Sequence, residues 1–487
     1  MNKKMFPLNK DHIHFIGIGG IGISALARYF LSLGYEISGS DSDSSELTNE
    51  LKKDGITIYI GHSPKNISKS VQQVFYSAAI KQDINELITA KKLGIPTKSY
   101  AEGLGDLTKQ YKTLAVAGTC GKSTTTAMLS LVLIKAGIDP TVIIGTKLKE
   151  FNNSNFKKGK SDYLIIESDE HNAAFLNHSP FAAIITNIER DHLDFYKNLK
   201  NIKNAFLKFI NNIQAGGILI INDDDENLRN LKNDIEKISS KNKLKVFWFG
   251  IKNNKKIRDK IKKVLKVPGE HNISNALEVY ALAKALGIKE KIILTALGEY
   301  NGAWRRMEYR GNLKIKNLKL KIPVYDDYAH HPSKIKASLA GFREKYPDSK
   351  IICVFQPHQI DRLKKLFKDF TKSFNEADYL ILLDIFKVKG RDPVQQQVVY
   401  GASNLSQNAK PRIELCSDIG VNSEKLAKSI KKRKISPEVL YLKNVKNLKK
   451  TIENIITLSL IHYPLNSIII VMMGAGDIYK YTDKLIK

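Results

Sequence analysis

A glycine-rich loop between an apolar run and a helical pattern constrains the fold of this chain more than any other feature. Residues 113–117 (TLAVA) have the length and composition of a buried β-strand, and the central loop, residues 118–125 (GTCGKSTT), leads directly into the helical run 126–129. Glycines let the backbone curl so that successive N–H groups face one anion, and the following helix N-terminus adds a favourable dipole. This order predicts a parallel α/β sheet with a phosphate site at its carboxyl edge.

Apolar strands alternate with amphipathic helices through all 487 residues. This alternation predicts an α/β fold with largely parallel sheets in three domains, at residues 1–106, 107–302 and 303–487. A helix at 275–286 is expected to close the second domain. The strand-like runs are 14–18, 35–41, 56–60 and 71–76 in the first segment, 113–117, 163–166, 182–186, 217–221 and 246–250 in the second, and 324–325, 351–355, 379–383, 439–442 and 468–473 in the third.

The charge balance is strongly basic, with 78 Lys and Arg against 49 Asp and Glu and a net charge of +29. Because the lysines are spread through the whole chain, we interpret them as solvated faces and expect no nucleic-acid partner. An apolar fraction of 43% excludes a disordered chain.

Cysteine usage indicates a reducing compartment, and hydropathy indicates no membrane-spanning segment. Cys120, Cys353 and Cys416 form no CxxC pair, so neither a metal cage nor a disulfide framework is predicted. We find no signal-peptide core near the N-terminus, and the apolar run 467–474 is far shorter than the ~20 residues that span a bilayer. We therefore expect a cytoplasmic protein without membrane insertion.

The central loop carries the strongest chemical signal. Lys122 is placed to reach the β- and γ-phosphates of a nucleotide, and the Ser123 hydroxyl to bind Mg²⁺. Val116 stands where the common GxxxxGK[ST] spacing has its first glycine. The strand–loop–helix context still predicts ATP binding, by Gly118, Thr119, Cys120, Gly121, Lys122, Ser123 and Thr124.

Acidic residues follow two of the predicted strands in the second segment. Glu167 directly follows the run 163–166, and Asp169 and Glu170 come next. A second polar cluster follows the run 182–186 and ends in His192. A nucleotide site in a parallel sheet needs an acid at a neighbouring strand's carboxyl end to hold the metal. We predict Glu167 and His192 as its ligands, together with Ser123.

The N-terminal loop, residues 17–22 (GIGGIG), resembles a dinucleotide fingerprint, with Asp41 about twenty residues further on. This motif is weak alone, because it requires only a diphosphate at a helix N-terminus. A nicotinamide-dependent oxidoreductase and a protein that binds a UDP-linked ligand both satisfy it.

Polar clusters also follow strands in the third segment. Asp327, Tyr328 and His330 lie in DDYAHHP, and His358 with Arg362 follows another strand. Clusters at the carboxyl ends of one sheet predict a shared crevice. Arg305 and Arg306, at the junction of the second and third segments, are candidates to clamp a phosphate.

Taken in order, these motifs resemble those of the Mur ligase family, ATP-dependent amide-forming enzymes of peptidoglycan precursor synthesis. The resemblance covers essentially the whole chain. It implies an N-terminal Rossmann-like UDP-binding domain, a central P-loop ATPase domain with a parallel sheet, and a C-terminal Rossmann-like domain that brings in the amino acid. The motifs are HFIGIGGIGISALA, GTCGKSTTT, ESDE, TNIERDHLD, HNISNA, WRRME, DDYAHHP, FQPH and GAGDI.

Within the family, the first motif and DDYAHHP with FQPH resemble the branch that joins L-alanine to UDP-N-acetylmuramate. The resemblance implies ATP, Mg²⁺, UDP-N-acetylmuramate and L-alanine as ligands, and we expect a monomer or weak homodimer. It implies nucleotide contacts by Asn272, Asn275, Arg306 and Asp327, UDP contacts by Gly17, Gly19, Gly20, Gly22, Asp41 and Ser77, amino-acid contacts by Tyr328, His330, His358 and Arg362, and catalytic roles for Lys122, Glu167, His192, His330, His358 and Arg362.

Four residues depart from the family pattern. Cys120 and Ser123 replace the usual His and Thr of the loop, Gln359 replaces an arginine after FQPH, and Asn172 stands where many relatives have Asp. The change at Gln359 leaves open a sister ligase that attaches another amino acid or a recycled murein tripeptide. A basic nucleic-acid-binding ATPase is a more remote alternative.

Overall fold

The computed structural model describes residues 11–315, 321–387, 420–460 and 468–486. The chain divides into two compact units, with the boundary after Trp304. The described residues form three sheets, two of them in the first unit. Cys416 and the first ten residues lie outside the described ranges.

The first sheet has the order β3-β2-β1-β4-β5, and all its neighbouring strands are parallel. The order reverses next to β1, so the N-terminal loop after β1 lies at the position where parallel sheets bind ligands. Phe75 stacks on Phe15 and Phe30 in the core beside this sheet. Its elements are β1 His12–Ile16, α1 Ile21–Ser32, β2 Glu36–Asp41, α2 Glu46–Lys53, β3 Thr57–Ile60, β4 Val71–Tyr76, α3 Asn85–Lys92, β5 Thr97–Ser99 and α4 Tyr100–Thr108.

The second sheet has the order β12-β11-β10-β6-β9-β7-β8 and is parallel except for the β7–β8 pair. Since β6 lies between β10 and β9, the loops after these three strands meet at one edge. The elements are β6 Lys112–Ala117, α5 Lys122–Lys135, β7 Thr141–Leu148, β8 Ser154–Lys157, β9 Tyr163–Ser168, β10 Ala182–Ile185, α6 Leu193–Tyr196, α7 Leu199–Asn211, β11 Ile218–Asn222, α8 Glu226–Arg229, α9 Lys232–Asn242, β12 Lys245–Phe249, α10 Lys255–Val264, α11 Glu270–Ala285 and α12 Glu290–Glu299.

The sheet of the second unit has the order β13-β14-β18-β15-β16-β17, with β13 antiparallel to β14. The strands β14, β18 and β15 are parallel neighbours, so their carboxyl ends share one edge. The elements are β13 Glu308–Leu313, β14 Ile322–Asp327, α13 Pro332–Lys345, β15 Lys350–Phe355, α14 Ile360–Lys365, α15 Phe367–Thr371, β16 Tyr379–Leu382, α16 Ser423–Lys431, β17 Glu438–Tyr441, α17 Leu448–Leu460, β18 Ile468–Met473 and α18 Tyr479–Ile486.

The α/β fold with mainly parallel sheets is confirmed, and every predicted strand is present. The prediction that the helix at 275–286 closes the second segment was wrong, since α11 begins at Glu270 and α12 follows it. The sequence patterns did not predict β5, β7, β8 or β13. None of the helices in the described part of the chain has both the length and the apolar character needed to cross a bilayer.

Candidate active site

The central loop connects the buried strand β6 to the helix α5 and is packed tightly against its neighbours. Gly118 and Gly121 have φ of 136° and 87°, a region that favours glycine. A Cβ at Gly118 would lie 2.0 Å from Thr186 Oγ1, and one at Gly121 would lie 2.5 Å from Asn275 Oδ1. Both positions therefore require glycine for backbone conformation and for space.

Part of the loop is bonded to the end of β10. The amides of Thr119 and Cys120 donate to the carbonyl and the side-chain oxygen of Asn187, at 3.0 and 2.8 Å. The Cys120 carbonyl accepts from Thr186 Oγ1 at 2.6 Å. The glycine-rich pattern predicts that successive loop amides face one anion, but the amides of Thr119 and Cys120 are bonded within the protein. The helix end of the loop and Lys122 are thus the parts best placed to meet a phosphate.

Lys122 lies at the first position of α5 and is nearly buried. Its Nζ donates to the Gly118 carbonyl at 2.8 Å and to Glu170 Oε2 at 2.6 Å, and Asp169 Oδ1 is 3.5 Å away. Burial lowers the pKa of Lys122, but the neighbouring carboxylates, Glu170 first, outweigh this and raise it above its ordinary value. Lys122 is therefore a fixed cation facing an excess of carboxylates.

Asp169, Glu170 and His192 form a group whose possible ligand atoms lie within 4.8 Å of one another. Burial, only partly offset by Lys122, raises the pKa of Glu170 to about 7. Burial acts in the same direction on Asp169, but Lys122 and the nearby histidines hold the pKa of that carboxyl well below its usual range. Carboxylate oxygens that outnumber the nearby lysine suit a divalent cation, so the residues present fit Mg²⁺.

The predicted ligand Glu167 makes a different contact. It lies in β9, where its Oε2 accepts from the Gly145 amide of β7 at 3.0 Å, and it is not part of the Asp169, Glu170 and His192 group found among the described residues. Ser123 is buried in the first turn of α5. The structure brings Glu170, three residues beyond Glu167, to within 3.8 Å of His192, so Glu170 is a further candidate ligand beside the predicted Glu167, Ser123 and His192.

Helix α11 packs beside the central loop. Its buried Asn275 lies against Gly121, and Asn272 Nδ2 donates to the Pro268 carbonyl at 2.6 Å. The two asparagines predicted to contact a nucleotide therefore lie on one helix whose first turns border the loop.

Glu278 is fully buried one turn further along α11. Neither of its carboxylate oxygens makes a hydrogen bond of ordinary geometry with the residues that the structure describes. Burial, reinforced by the charges of Asp224 and Asp225, raises the pKa of Glu278 well above its ordinary value. The folded protein therefore retains a proton that the unfolded chain releases.

We expect Glu278→Gln to stabilise the protein at neutral pH. Between the unfolded pKa, 4.5, and the higher folded pKa, the free energy of unfolding of the wild type should fall by up to about 1.4 kcal/mol per pH unit relative to the variant. Denaturant titrations at pH 5 and pH 8 measure this difference. Glu270→Gln, at an exposed position of the same helix, should keep the pH dependence of the wild type's free energy of unfolding. A Glu278→Gln variant with no gain at pH 8 would contradict the prediction.

The N-terminal loop is held by side chains from the next strands. Asp41 Oδ2 accepts from the Gly19 amide at 2.8 Å, and a Cβ at Gly19 would meet the same oxygen at 2.7 Å. A Cβ at Gly17 would lie 3.0 Å from that of Ser77, and one at Gly22 would lie 2.9 Å from the Tyr100 ring. The structure thus brings Asp41 and Ser77 to the loop, with one oxygen of Asp41 bonded to the loop itself.

The second unit brings its predicted residues together at the carboxyl edge of β14 and β15. The ring centroids of Tyr328 and His330 are 5.1 Å apart, those of His330 and His358 are 5.9 Å apart, and Arg362 Nη1 lies 3.2 Å from His358 Nδ1. Gln359 has a φ of 68°, and its amide donates to the Phe386 carbonyl. The imidazoles, the phenol and the guanidinium form one continuous group.

The two adjacent arginines at the start of this unit differ. Arg305 is 4% exposed, and its Nη2 donates to the carbonyls of Gly474 and Gly476. Arg306 lies over the Tyr328 ring at 5.0 Å. The buried carboxylate of Asp327 accepts from the amides of Ala329 and Met307. Arg305 is therefore bound to backbone carbonyls, which leaves Arg306 as the better phosphate contact of the two.

Family models match three consecutive parts of the chain. The "Mur ligase family, catalytic domain" matches residues 12–112, the "Mur ligase middle domain" residues 116–283, and the "Mur ligase, glutamate ligase domain" residues 305–457. The chain belongs to the Mur ligase family. The three matches follow the order of the three sheets.

Relatives within the family are similar along nearly the whole chain. The UDP-N-acetylmuramate–L-alanine ligase of Acetivibrio thermocellus is 38% identical, covering 99% of this chain and 97% of the relative. The ligase of the same name from Persephonella marina is 36% identical with the same coverage. The one from Clostridium acetobutylicum is 42% identical over 80% of this chain and 86% of the relative.

Solved structures of Mur ligases have the same fold. The UDP-N-acetylmuramate–alanine ligase of Thermotoga maritima superposes with a TM-score of 0.73 at 27% identity, covering 98% of each chain. A murein peptide ligase from Psychrobacter arcticus superposes with a TM-score of 0.63 at 22% identity, covering 97% of this chain and 98% of that one. The second likeness supports the fold alone.

Proposed function

We propose that this chain is an ATP-dependent ligase that joins L-alanine to the lactyl carboxylate of UDP-N-acetylmuramate, in cytoplasmic peptidoglycan precursor synthesis. The observation that carries the proposal is the similarity to L-alanine ligases over 99% of the chain. The central loop with Lys122 and the adjacent group of Asp169, Glu170 and His192 would supply the phosphate binding and metal binding that such a reaction requires.

The reaction must make a carboxylate electrophilic, because an ionised carboxylate is a poor acyl donor. We propose that the lactyl carboxylate attacks the γ-phosphate of ATP and forms an acyl phosphate with release of ADP. The amine of L-alanine then attacks the carbonyl, and the tetrahedral intermediate collapses with loss of phosphate. Positioning and electrostatic stabilisation of phosphate oxygens provide most of the catalysis in such transfers.

We propose that Lys122 and the start of α5 bind the transferred phosphate. A triphosphate in the central loop would compete with Glu170 and Asp169 for the ammonium of Lys122, which lies 2.6 and 3.5 Å from them. Asp169, Glu170 and His192 would hold Mg²⁺, which supplies positive charge to phosphate oxygens when bound. Asn272 and Asn275 would contact the nucleotide beside the loop.

The remaining predicted contacts belong to the two other substrates. In the first unit, Gly17, Gly19, Gly20 and Gly22 with Asp41 and Ser77 would bind the UDP moiety. In the second unit, Tyr328, His330, His358 and Arg362 would bind the amino acid and the transferred phosphate, with Arg306 and Asp327 as nucleotide contacts. We further propose the domain limits 1–106, 107–302 and 303–487 and a monomer or weak homodimer.

A panel of amines tests the proposal. With UDP-N-acetylmuramate, ATP and Mg²⁺, phosphate release should be fastest with L-alanine and at least about tenfold slower with glycine or L-serine, the discrimination that one small side-chain difference supports. Reactions without the sugar nucleotide serve as the control. No release with any amine would remove the proposal.

The second candidate is a sister ligase that takes a recycled murein tripeptide. Gln359 leaves this candidate open, because the position lacks the cation that the family pattern has after FQPH, although the FQPH form itself argues against it. The same panel therefore includes the tripeptide L-alanyl-γ-D-glutamyl-meso-diaminopimelate. Faster release with this tripeptide than with L-alanine would favour the sister activity.

A further inference from the structure

A line of hydrogen-bonded polar side chains crosses one face of the N-terminal sheet, outside the residues assigned above. At the amino end of β1, His12 Nδ1 lies 2.9 Å from Ser70 Oγ, and His12 Nε2 lies 2.7 Å from Ser38 Oγ. Ser38 Oγ lies 2.8 Å from Nδ1 of His14, which is fully buried. His14 Nε2 lies 3.7 Å from Glu86 Oε1, too far for a hydrogen bond, so the line approaches a buried carboxylate without bonding to it.

Glu86 is fully buried in the first turn of α3 and has three polar partners at close range. Its Oε2 accepts from Ser40 Oγ at 2.6 Å and lies 2.7 Å from His62 Nδ1. Its Oε1 accepts from Asn66 Nδ2 at 2.6 Å. Burial alone would raise the pKa of Glu86, but the contacts with His14, Ser40, Asn66 and His62 together lower it. The chain thus maintains an ionised carboxylate inside the N-terminal domain.

The line reaches the surface beside the N-terminal loop. The backbone carbonyl of Ser40 accepts from the amides of Gly17 and Ile18 at 2.8 and 3.0 Å, while its hydroxyl lies 3.1 Å from His62 Nδ1. His62 follows β3, and 16% of its side chain is exposed. One strand residue therefore contacts both His62 and the loop proposed to bind the diphosphate.

The contact with Glu86 determines which ring atom of His62 is left for a ligand. An ionised carboxylate only accepts hydrogen bonds, so Nδ1 must carry a hydrogen, and Nε2 is the remaining polar atom. As an N–H group, Nε2 would donate to a diphosphate oxygen. As a lone pair, it would accept from the uracil N3–H. Both partners belong to a uridine diphosphate.

We propose that Glu86 is a positioning residue of the UDP-sugar site, whose buried carboxylate fixes the ring of His62 so that Nε2 contacts the UDP moiety. This inference rests on the proposed function, because it assigns a role in binding the same sugar nucleotide. The stretch from His12 to His14 lies on the far side of the carboxylate, makes no hydrogen bond to it and does not reach the loop.

Steady-state kinetics separate this role from a purely structural one. Glu86→Gln places an amide where three groups require an acceptor, so the tautomer of His62 is no longer fixed. The KM for UDP-N-acetylmuramate should rise about tenfold, while kcat and the KM for ATP stay within about twofold. His12→Gln, which cuts the same line at its far end, is the matched control and should keep all three values.

Binding without turnover identifies the part of the ligand that His62 contacts. In protein labelled with ¹⁵N-histidine, UDP should shift one imidazole resonance that is absent from His62→Gln. Pyrophosphate should reproduce the shift if Nε2 meets the diphosphate, and uridine should reproduce it if Nε2 meets the base. Glu86→Gln should weaken the response to UDP.

The outcomes distinguish this inference from the proposed function. A wild type that forms no ADP with any amine removes the function, whatever the variants do. An active wild type with an unchanged sugar-nucleotide KM in Glu86→Gln, or no UDP-dependent shift of the His62 resonance, overturns the inference. If Glu86→Gln does not fold, His62→Ala provides the same test and should raise the same KM.

Discussion

Replacing Lys122 with alanine should reduce the rate of ADP formation by about 10³-fold, the scale seen when one preorganised charge is removed from a transition state. Lys122 Nζ lies at the N-terminus of α5, 2.8 Å from the Gly118 carbonyl oxygen and 2.6 Å from Glu170 Oε2. Because burial excludes water from this ammonium, its charge acts on the phosphates with little screening. Phosphate release at saturating UDP-N-acetylmuramate and L-alanine measures the effect.

Lys135→Ala is the matched control for this variant. Lys135 lies in the last turn of the same helix and also pairs with a glutamate, since its Nζ is 2.7 Å from Glu299 Oε1, but both side chains are largely exposed. Such surface pairs contribute at most about 1 kcal/mol, so activity and melting temperature should be nearly unchanged. Retained activity in folded Lys122→Ala, verified by its circular dichroism spectrum, would show that the loop has been assigned the wrong role.

Several of the strands that the sequence patterns predicted, β10 and β18 among them, are apolar without interruption. The runs in β10 and β18 are buried on both faces, which is the condition for a central parallel strand. Gly145 and Lys147 interrupt the apolar run of β7. Their presence in the strand is explained only by contacts with residues distant in the sequence. Gly145 makes room for Glu167, and Lys147 Nζ lies 2.6 Å from Glu50 of α2, which is distant in sequence.

The loop residues of the site could be predicted because their spacing along the chain reports the chemistry directly. The sequence alone does not distinguish Glu167 from Glu170 as the metal ligand, since both acids follow the same apolar run. The alternation of side chains in β9 directs Glu167 toward Gly145, and the strand ends at Ser168 before the chain turns Glu170 toward Lys122. The pairing of Glu86 with His62 was equally hidden, because no local pattern links residues 24 positions apart.

The different contacts of Glu167 and Glu170 allow a direct comparison of two isosteric variants. Glu170→Gln should lower kcat by about 10²-fold and raise the Mg²⁺ concentration needed for half-maximal rate by at least about tenfold. Glu170 is buried, contacts Lys122 and belongs to the group with Asp169 and His192. Glu167→Gln keeps an oxygen that can accept from the Gly145 amide, so its kcat should fall by less than about tenfold.

Binding of Mn²⁺, followed by electron paramagnetic resonance, separates metal affinity from catalysis in the same pair. Glu170→Gln should release the cation more readily, and Glu167→Gln should bind it like the wild type. Equal losses in the two variants would place both carboxylates around the metal. A larger loss in Glu167→Gln would mean that the carboxylate beside Gly145 is the true ligand, and that the group around His192 serves only to neutralise Lys122.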